Sequence, residues 1–268
     1  MTEYLTDEWG FFIRSSRLDD GVRSPEQAIE VHETEPFGKL FRLDGHFMTS
    51  EQDEFFYHEN LVHLPGITHP APERALIVGG GDGGSAEELL KYPSMKKVTL
   101  AEIDMAVVDV SRKYLASVHK GSLDDPRLDL RIGDGFAYVR ETSDTFDLIV
   151  LDLTDPGGPS LELYTPAFYR ACASRLTMLG AMALHIASPI AHPDRIRQTL
   201  VSLRSMFRPA IPPAAFGALP AIAPSNDPSG ASGTTPPIGT GLADTDGSFS
   251  AISLARPPWS GAYRAQLR

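Results

Sequence analysis

From residue 74 to residue 207, short apolar runs alternate with segments whose apolar residues recur at helical spacing. The apolar runs are RALIV, KKVTLAEI, LDLRI, FDLIVLDL and AMALHIAS. Buried strands that alternate with helices form a parallel sheet with helices on both faces. The sequence therefore predicts an α/β fold with a doubly wound, mainly parallel sheet. In such folds ligands bind at the carboxyl ends of the strands.

The segment before this alternation has a different pattern. Residues 10–50 contain short runs of partial alternation with turn signals, among them Asp44-Gly45, and these indicate a small β subdomain. Residues 51–65 have apolar residues at helical spacing and predict a helix that leads into the first buried strand.

The last segment, residues 208–268, shows neither the alternation typical of a strand nor the apolar spacing typical of a helix. It contains 10 of the 22 prolines of the chain and is rich in Ala, Gly, Ser and Thr. Such a composition buries too little apolar surface to offset chain entropy, so we expect a poorly ordered tail with a weak strand at FSAISLA. We therefore divide the chain into an N-terminal β subdomain with its linking helix, a catalytic domain and a tail: residues 1–70, 71–207 and 208–268.

Composition excludes several classes of function. The net charge is −11, which argues against a nucleic-acid partner and is compatible with a cationic substrate or with solubility alone. No run of 18 uncharged apolar residues appears, so we expect no membrane span. The acidic N-terminus has no signal-peptide pattern, and the single cysteine, Cys172, cannot form an internal disulfide. We expect a cytoplasmic protein in which Cys172 packs within a helix.

A glycine-rich loop follows the first buried strand. The residues from Gly79 to Gly84 read GGGDGG, and glycines such as Gly79 and Gly81 let the backbone turn tightly and approach a ligand. The loop does not have the dinucleotide pattern G-x-G-x-x-G, and Asp82 in its centre would repel phosphate. We interpret the loop as a site for a ligand with a positive end; the alternative is an ordinary glycine turn.

Acidic residues also follow the next two strands. Glu102 ends the second strand, at a distance from Gly79 where an acid typically accepts hydrogen bonds from both ribose hydroxyls of a nucleoside. Asp134 and Gly135 follow the third strand, where the Asp134 carboxylate can accept a hydrogen bond from an adenine amino group. Each acid alone would more often be solvated, but acids at three successive strand ends indicate a nucleoside site.

The fourth strand ends in two aspartates spaced by three, Asp152 and Asp155. Buried like charges raise each other's pKa and attract a cation, so one of them can serve as a general base for an ammonium substrate. A metal site is the competing interpretation, but no histidine or third carboxylate stands at ligand spacing in this segment, so we expect no metal. Tyr57 and His58, in EFFYHE, are candidate site residues only if the fold brings them close to these acids.

Taken together, these motifs resemble the spermidine synthase family. The resemblance covers about residues 25 to 207 and is carried by TSEQDEFFYHENLVH, ALIVGGGDGGSAEELLK, KVTLAEID, DPRLDLRIGDG, FDLIVLDLTDPGGP and LYTPAFY. GGGDGG combined with D-x-T-D-P-x-G-P distinguishes this family from its methyltransferase relatives. The resemblance implies a methyltransferase-like fold and the transfer of an aminopropyl group from decarboxylated S-adenosylmethionine to a diamine such as putrescine. It also implies a homodimer or homotetramer and no cofactor.

The resemblance assigns roles to these residues. Asp82 would hold the amino end of the aminopropyl group, in the glycine loop of Gly79 and Gly81. Glu102 would bind the ribose, Asp134 and Gly135 the adenine, and His58 would lie beside the nucleoside. Asp152 would take the proton from the attacking amine, and the diamine would be bound by three further side chains: Tyr57, Asp155 and His185.

Three features depart from the family pattern. Met48 and His185 stand where many members have Gln, and no equivalent of the family's closing segment follows Phe207. We hypothesise that the tail is an out-of-frame reading, which a one-base shift near codon 208 that restores the family ending would support. The alternatives to an active enzyme are an impaired nucleoside-binding relative and, disfavoured by Asp82, an S-adenosylmethionine-dependent methyltransferase.

Overall fold

The computed structural model describes residues 1–4, 10–19, 21–154, 158–186, 193–204, 206–209 and 251–255. The strands of this part of the chain form a short hairpin, an antiparallel sheet of five strands and a larger sheet of seven strands. The large sheet carries the candidate site, and the antiparallel sheet packs beside it.

The N-terminal region is built from short antiparallel strands, as the sequence predicted. The hairpin pairs β1 (Thr2–Tyr4) with β2 (Gly10–Phe12). The sheet of five contains β3 (Ser15–Arg17), β4 (Val22–Arg23), β5 (Ala28–Thr34), β6 (Gly38–Leu43) and β7 (His46–Ser50). The predicted turn joins β6 to β7, with Asp44 and Gly45 both at positive φ, 49° and 87°. Positive φ at both central residues is the geometry that Asp-Gly favours in tight hairpins.

Helix α1 (Glu54–Gly66) links the two sheets and begins three residues after the predicted start at residue 51. The strands of the large sheet are β8 (Arg74–Gly79), β9 (Lys97–Glu102), β10 (Leu128–Ile132), β11 (Phe146–Asp152), β12 (Leu176–His185), β13 (Arg208–Pro209) and β14 (Ala251–Ala255). Their order is β10-β9-β8-β11-β12-β14-β13, and the first five are parallel. The predicted doubly wound, mainly parallel sheet is confirmed.

Helices alternate with these strands. They are α2 (Gly84–Leu90), α3 (Met105–Tyr114), α4 (Ala116–His119), α5 (Gly135–Glu141), α6 (Pro166–Arg175) and α7 (Pro193–Arg204), with short 3₁₀ helices at Ser122–Asp124 and Gly158–Tyr164. The chain runs outward from β8 through β9 to β10 and then returns to β11 on the other side of β8. This reversal of direction makes a crevice between β8 and β11, the position where doubly wound sheets bind ligands.

Apolar side chains pack on both faces of the large sheet. One cluster contains Phe146, Phe168 and the fully buried Cys172, so the thiol is a core group of α6, as predicted. A further cluster joins Val31 of the antiparallel sheet to Val107 of α3. Among the helices of the described ranges, none combines the length and apolar character needed to cross a membrane.

The segment predicted as a tail contributes two short strands to the large sheet. β14 lies between β12 and β13 and is antiparallel to both, with residue 251 opposite His185. β14 falls within the FSAISLA segment, where the sequence predicted a weak strand. The remainder of this segment, 210–250 and 256–268, lies outside the described residues, and the division of the chain at residue 207 stays a prediction.

Candidate active site

The crevice is formed where β8 and β11 end side by side, with Gly79 paired to Asp152. A Cβ atom at Gly79 would overlap the Asp152 carbonyl oxygen, and Gly79 has a φ of +79°. A Cβ atom at Gly81 would lie 2.8 Å from Glu102 Oε2. The glycines of the loop are therefore required by the close approach of the neighbouring strand ends.

Asp82 points from this loop into the crevice, with 12% of its side chain exposed. Its Oδ1 accepts a hydrogen bond of 3.0 Å from the Gly84 amide, and its Oδ2 lies 3.5 Å from His58 Nε2. Burial alone would raise the pKa of the Asp82 carboxyl, but the charge of His58 and the Gly84 amide hold it below its ordinary value. The carboxylate is therefore ionised and available to a cation.

His58 lies on α1, with only 1% of its side chain exposed. Its Nδ1 is 2.7 Å from Glu54 Oε2, and its Nε2 is 4.0 Å from Asp152 Oδ2. Burial by itself lowers the pKa of this imidazole, but Asp82, Glu54 and Asp152 together raise it well above the ordinary value. The ring is therefore an imidazolium that neutralises part of an acidic cluster.

The prediction of no metal considered only the segment around Asp152 and Asp155, in which no histidine stands at ligand spacing. The structure brings His58, Asp82 and Asp152 together with ligand atoms within 4.8 Å of one another, although α1 and β11 are far apart in sequence. The geometry alone would allow a cation there. A protonated histidine, however, has no lone pair on the nitrogen that faces the two carboxylates, so the residues as arranged favour an organic cation, and the absence of a metal stays a prediction.

Asp152 lies at the end of β11, with 10% of its side chain exposed. Its Oδ1 accepts a hydrogen bond of 2.7 Å from the Tyr57 hydroxyl, and its Oδ2 accepts one of 2.6 Å from Ser85 Oγ. Burial and the charge of Asp82 raise the pKa of the Asp152 carboxyl, while His58 and the two hydroxyls oppose the rise. A fixed carboxylate of raised basicity is suited to accept a proton from an amine.

The candidate diamine side of the crevice is only partly described. The rings of Tyr57 and His185 meet edge to face, with centroids 6.2 Å apart, so both predicted residues lie beside Asp152. Asp155 lies outside the described residues. Close by, the Tyr164 hydroxyl donates a hydrogen bond of 2.8 Å to the Thr154 carbonyl oxygen, which ties the loop after β11 to the following 3₁₀ helix.

Glu102 ends β9, and 6% of its surface is exposed. Its Oε2 accepts from the Gly81 amide at 3.1 Å, and its Oε1 accepts from the Asp104 amide at 2.9 Å. Burial, with a contribution from the nearby Asp104 charge, raises the pKa of Glu102 to about 7. The glycine loop and the predicted ribose-binding carboxylate are thus directly bonded to each other.

The predicted adenine-binding residues lie at the same edge of the sheet. Asp134 is exposed and caps α5, where its Oδ1 accepts a hydrogen bond of 2.7 Å from the Phe136 amide. Gly135 packs closely against Val78, and the preceding Gly133 amide bonds to the Glu102 carbonyl oxygen at 2.8 Å. The described candidate residues therefore form two groups. The acidic pocket consists of Tyr57, His58, Asp82, Asp152 and His185, and the nucleoside edge consists of Glu102, Asp134 and Gly135.

Three residues of the site were missed from the sequence. Glu54 forms a hydrogen bond with His58, and Ser85 donates one to Asp152. Tyr164 donates a hydrogen bond to the loop after β11. The i, i+4 spacing of Glu54 and His58 on a predicted helix was a usable signal. The position of Ser85 was a second usable signal, since this residue follows the glycine loop at the start of a predicted helix.

The fold and site define a methyltransferase-like α/β protein with an acidic crevice at its switch point. The family model of the spermine/spermidine synthase domain matches residues 54–222, which extends past residue 207. The chain belongs to this family. The match to residue 222 indicates that the family resemblance continues beyond the expected domain boundary.

Individual relatives agree with this assignment. The polyamine aminopropyltransferase of Nitrosomonas europaea is 52% identical over 205 residues, which cover 76% of this chain but 63% of the relative's length. That of Bacillus subtilis is 40% identical over 206 residues, covering 77% of this chain and 74% of the relative. The Thermotoga maritima spermidine synthase structure has a TM-score of 0.72 and 38% identity, and covers 77% of this chain and 70% of its own.

A second spermidine synthase structure, solved in complex with the transition state analogue AdoDATO, has a TM-score of 0.77 and 30% identity. The alignment covers 96% of this chain and 80% of that one. The chain thus spans 63% to 80% of the length of these four relatives, and less than two thirds of the Nitrosomonas europaea protein.

Proposed function

We propose that the protein is a polyamine aminopropyltransferase that moves the aminopropyl group of decarboxylated S-adenosylmethionine to putrescine, giving spermidine and methylthioadenosine. The observation that carries this proposal is the convergence of two largely buried carboxylates, Asp82 and Asp152, in one crevice beside Glu102. Two cationic substrates need such a pocket because their mutual repulsion is screened by fixed negative charge. The names of the relatives support the same reaction.

The chemistry follows from the positions of the acids. The lone pair of the diamine nitrogen attacks the methylene carbon next to the sulfonium, and the carbon–sulfur bond breaks with its electron pair moving to sulfur. Sulfur becomes a neutral thioether, and Asp152 takes the proton whose loss from the diamine ammonium frees the attacking lone pair. Because the sulfonium already makes this carbon electrophilic, the step needs no metal or other cofactor, and positioning supplies much of the rate.

Asp82 accounts for the choice of nucleoside. In the proposed complex it binds the amino end of the aminopropyl group, where ordinary S-adenosylmethionine would also present a carboxylate. That carboxylate would meet an ionised aspartate, and the like-charge contact disfavours it. The same argument disfavours a methyltransferase, which must accept the carboxylate.

The remaining assignments belong to this proposal. Glu102 binds the ribose and Asp134 with Gly135 the adenine, while Tyr57, Asp155 and His185 bind the diamine. We expect a cytoplasmic homodimer or homotetramer that acts on small molecules rather than nucleic acid.

The proposed base is tested by Asp152→Asn. The asparagine keeps the size of the side chain but cannot take the proton, so turnover should fall roughly 100- to 10,000-fold while methylthioadenosine still binds. Asp109→Asn, at an exposed aspartate on α3, is the matched control and should retain full turnover. Full activity of Asp152→Asn would show that another group is the base. Binding of methylthioadenosine by the unmodified chain without turnover would select the impaired relative instead.

A further inference from the structure

Glu54 is a buried carboxylate to which the proposed reaction gives no role. It is the first residue of α1 and is 6% exposed. Its Oε2 lies 2.7 Å from His58 Nδ1, one turn along the helix, and its Oε1 lies 3.4 Å from Lys120 Nζ. An ionised carboxylate only accepts hydrogen bonds, so His58 must carry a proton on Nδ1.

The other nitrogen of His58 faces the reaction pocket. Nε2 is buried, lies 3.5 Å from Asp82 and 4.0 Å from Asp152, and has no partner within hydrogen-bond distance. Gly84 packs against the ring so closely that a Cβ atom there would overlap it, and this contact restricts the movement of the ring. One nitrogen is thus bonded to Glu54, and the other is directed at the two acids proposed to bind cations.

The charge balance of this cluster must change when substrate binds. In the free protein the imidazolium offsets the charges of Asp82 and Asp152, and these acids raise the pKa of His58 well above its ordinary value. A substrate ammonium that pairs with Asp82 supplies the same positive charge and would meet an N–H donor on Nε2. Two cations in contact repel one another, whereas a neutral Nε2 would accept a hydrogen bond from the ammonium.

We propose that His58 releases its Nε2 proton when the aminopropyl ammonium of the nucleoside substrate binds, and that Glu54 is the positioning residue that makes this possible by keeping the other proton on Nδ1. This inference rests on the proposed function. The proton passes from Nε2 to solvent, the substrate ammonium keeps all of its protons, and Nε2 becomes an acceptor for one of them.

Several elements contribute groups to this exchange. The charged and titratable groups that face His58 directly come from α1, the glycine loop and the end of β11: Glu54, Tyr57, Asp82 and Asp152. Lys120, which follows α4, influences His58 through its ion pair with Glu54, and the charge of His119 lowers the pKa of Asp82. Lys120 opposes the positive charge on His58, so Glu54 and Lys120 should shift the exchange in opposite directions.

Calorimetry of the full chain can count the protons. Decarboxylated S-adenosylmethionine and methylthioadenosine are each titrated at pH 7 in two buffers with different ionisation enthalpies, phosphate and Tris. Both ligands contain the same adenosine part, so protons released at the nucleoside edge cancel in the difference. The expected difference is about one extra proton for the decarboxylated substrate, since the ammonium is present only there.

Glu54→Gln should reduce this extra proton release to well under half, because the imidazolium loses the carboxylate that lies 2.7 Å from its Nδ1. Glu59→Gln, at an exposed glutamate on the same helix, is the matched control and should release as many protons as the unmodified protein. A purely structural role for Glu54 would change affinity without changing the proton count. An unchanged count in a folded Glu54→Gln protein therefore overturns the positioning role.

Lys120→Met is a second variant that does not depend on the buried carboxylate. Lys120 is partly exposed, so removing its charge should extend the pH range of proton release upward by about 0.5 in pH. Binding of the decarboxylated substrate without an extra proton would overturn this inference and leave the proposed function intact. No binding of that substrate at all would overturn the proposed function and this inference with it.

Discussion

The affinity for the nucleoside should depend on pH through Glu102. Burial raises the pKa of this carboxyl to about 7, and only the ionised form can accept hydrogen bonds from both ribose hydroxyls. At pH 8 roughly nine tenths of the carboxyl is ionised, and at pH 6 roughly one tenth. The dissociation constant of methylthioadenosine should therefore rise about tenfold from pH 8 to pH 6, or about 1.4 kcal/mol.

Two variants separate this effect from other titrations. Glu102→Gln should bind methylthioadenosine roughly 10- to 100-fold more weakly at pH 8 and lose most of the pH dependence, because the amide does not titrate. Asp104→Asn should move the midpoint of the pH dependence downward, since the Asp104 charge helps to raise the pKa of Glu102.

The assay is isothermal titration of methylthioadenosine into the full chain at several pH values between 6 and 8. Methylthioadenosine lacks the aminopropyl ammonium, so it leaves the cluster around His58 undisturbed. A dissociation constant that stays constant from pH 6 to pH 8 would refute the reasoning, because it would mean that Glu102 either does not bind the ribose or is already ionised at pH 6.

Three further predictions concern neighbouring residues. Gly84→Ala should displace the His58 ring, lower the free energy of unfolding by about 1–3 kcal/mol in a denaturant titration and reduce turnover. Tyr57→Phe removes a hydrogen bond that lowers the pKa of Asp152, so the acid limb of the pH profile of kcat/KM should move to higher pH; an unmoved limb would contradict the assignment. Burial raises the pKa of the Cys172 thiol, so a thiol reagent should label it only as fast as the protein unfolds, and immediate labelling would disprove its core position.

The site residues that end strands of the parallel sheet were predictable from the sequence. Gly79, Glu102 and Asp152 each end a buried strand, and the rule that parallel strands present their carboxyl ends together placed them at one edge. The alternation of strands and helices after residue 74 was also predictable. A strand that is buried on both faces is a continuous apolar run, and such a run is easily recognised in the sequence.

Contacts made by tertiary packing were not predictable. His58 reaches Asp82 and Asp152 because α1 packs against α2 and β11, and nothing local to EFFYHE specifies that packing. The grouping of His58 with the two aspartates was therefore not visible in the segment after β11. β12 begins at Leu176, five residues before the predicted apolar run AMALHIAS, because Leu176 is buried and pairs with Phe146.

Aminopropyl transfer is the central activity proposed for this protein, and the release of methylthioadenosine from decarboxylated S-adenosylmethionine tests it most directly. Purified full chain is incubated with the nucleoside, with and without putrescine, and the product is followed over time. Release that requires putrescine and yields spermidine in equal amount is the predicted result. No release with putrescine, cadaverine or spermidine, from a protein that still binds methylthioadenosine, would contradict the claim.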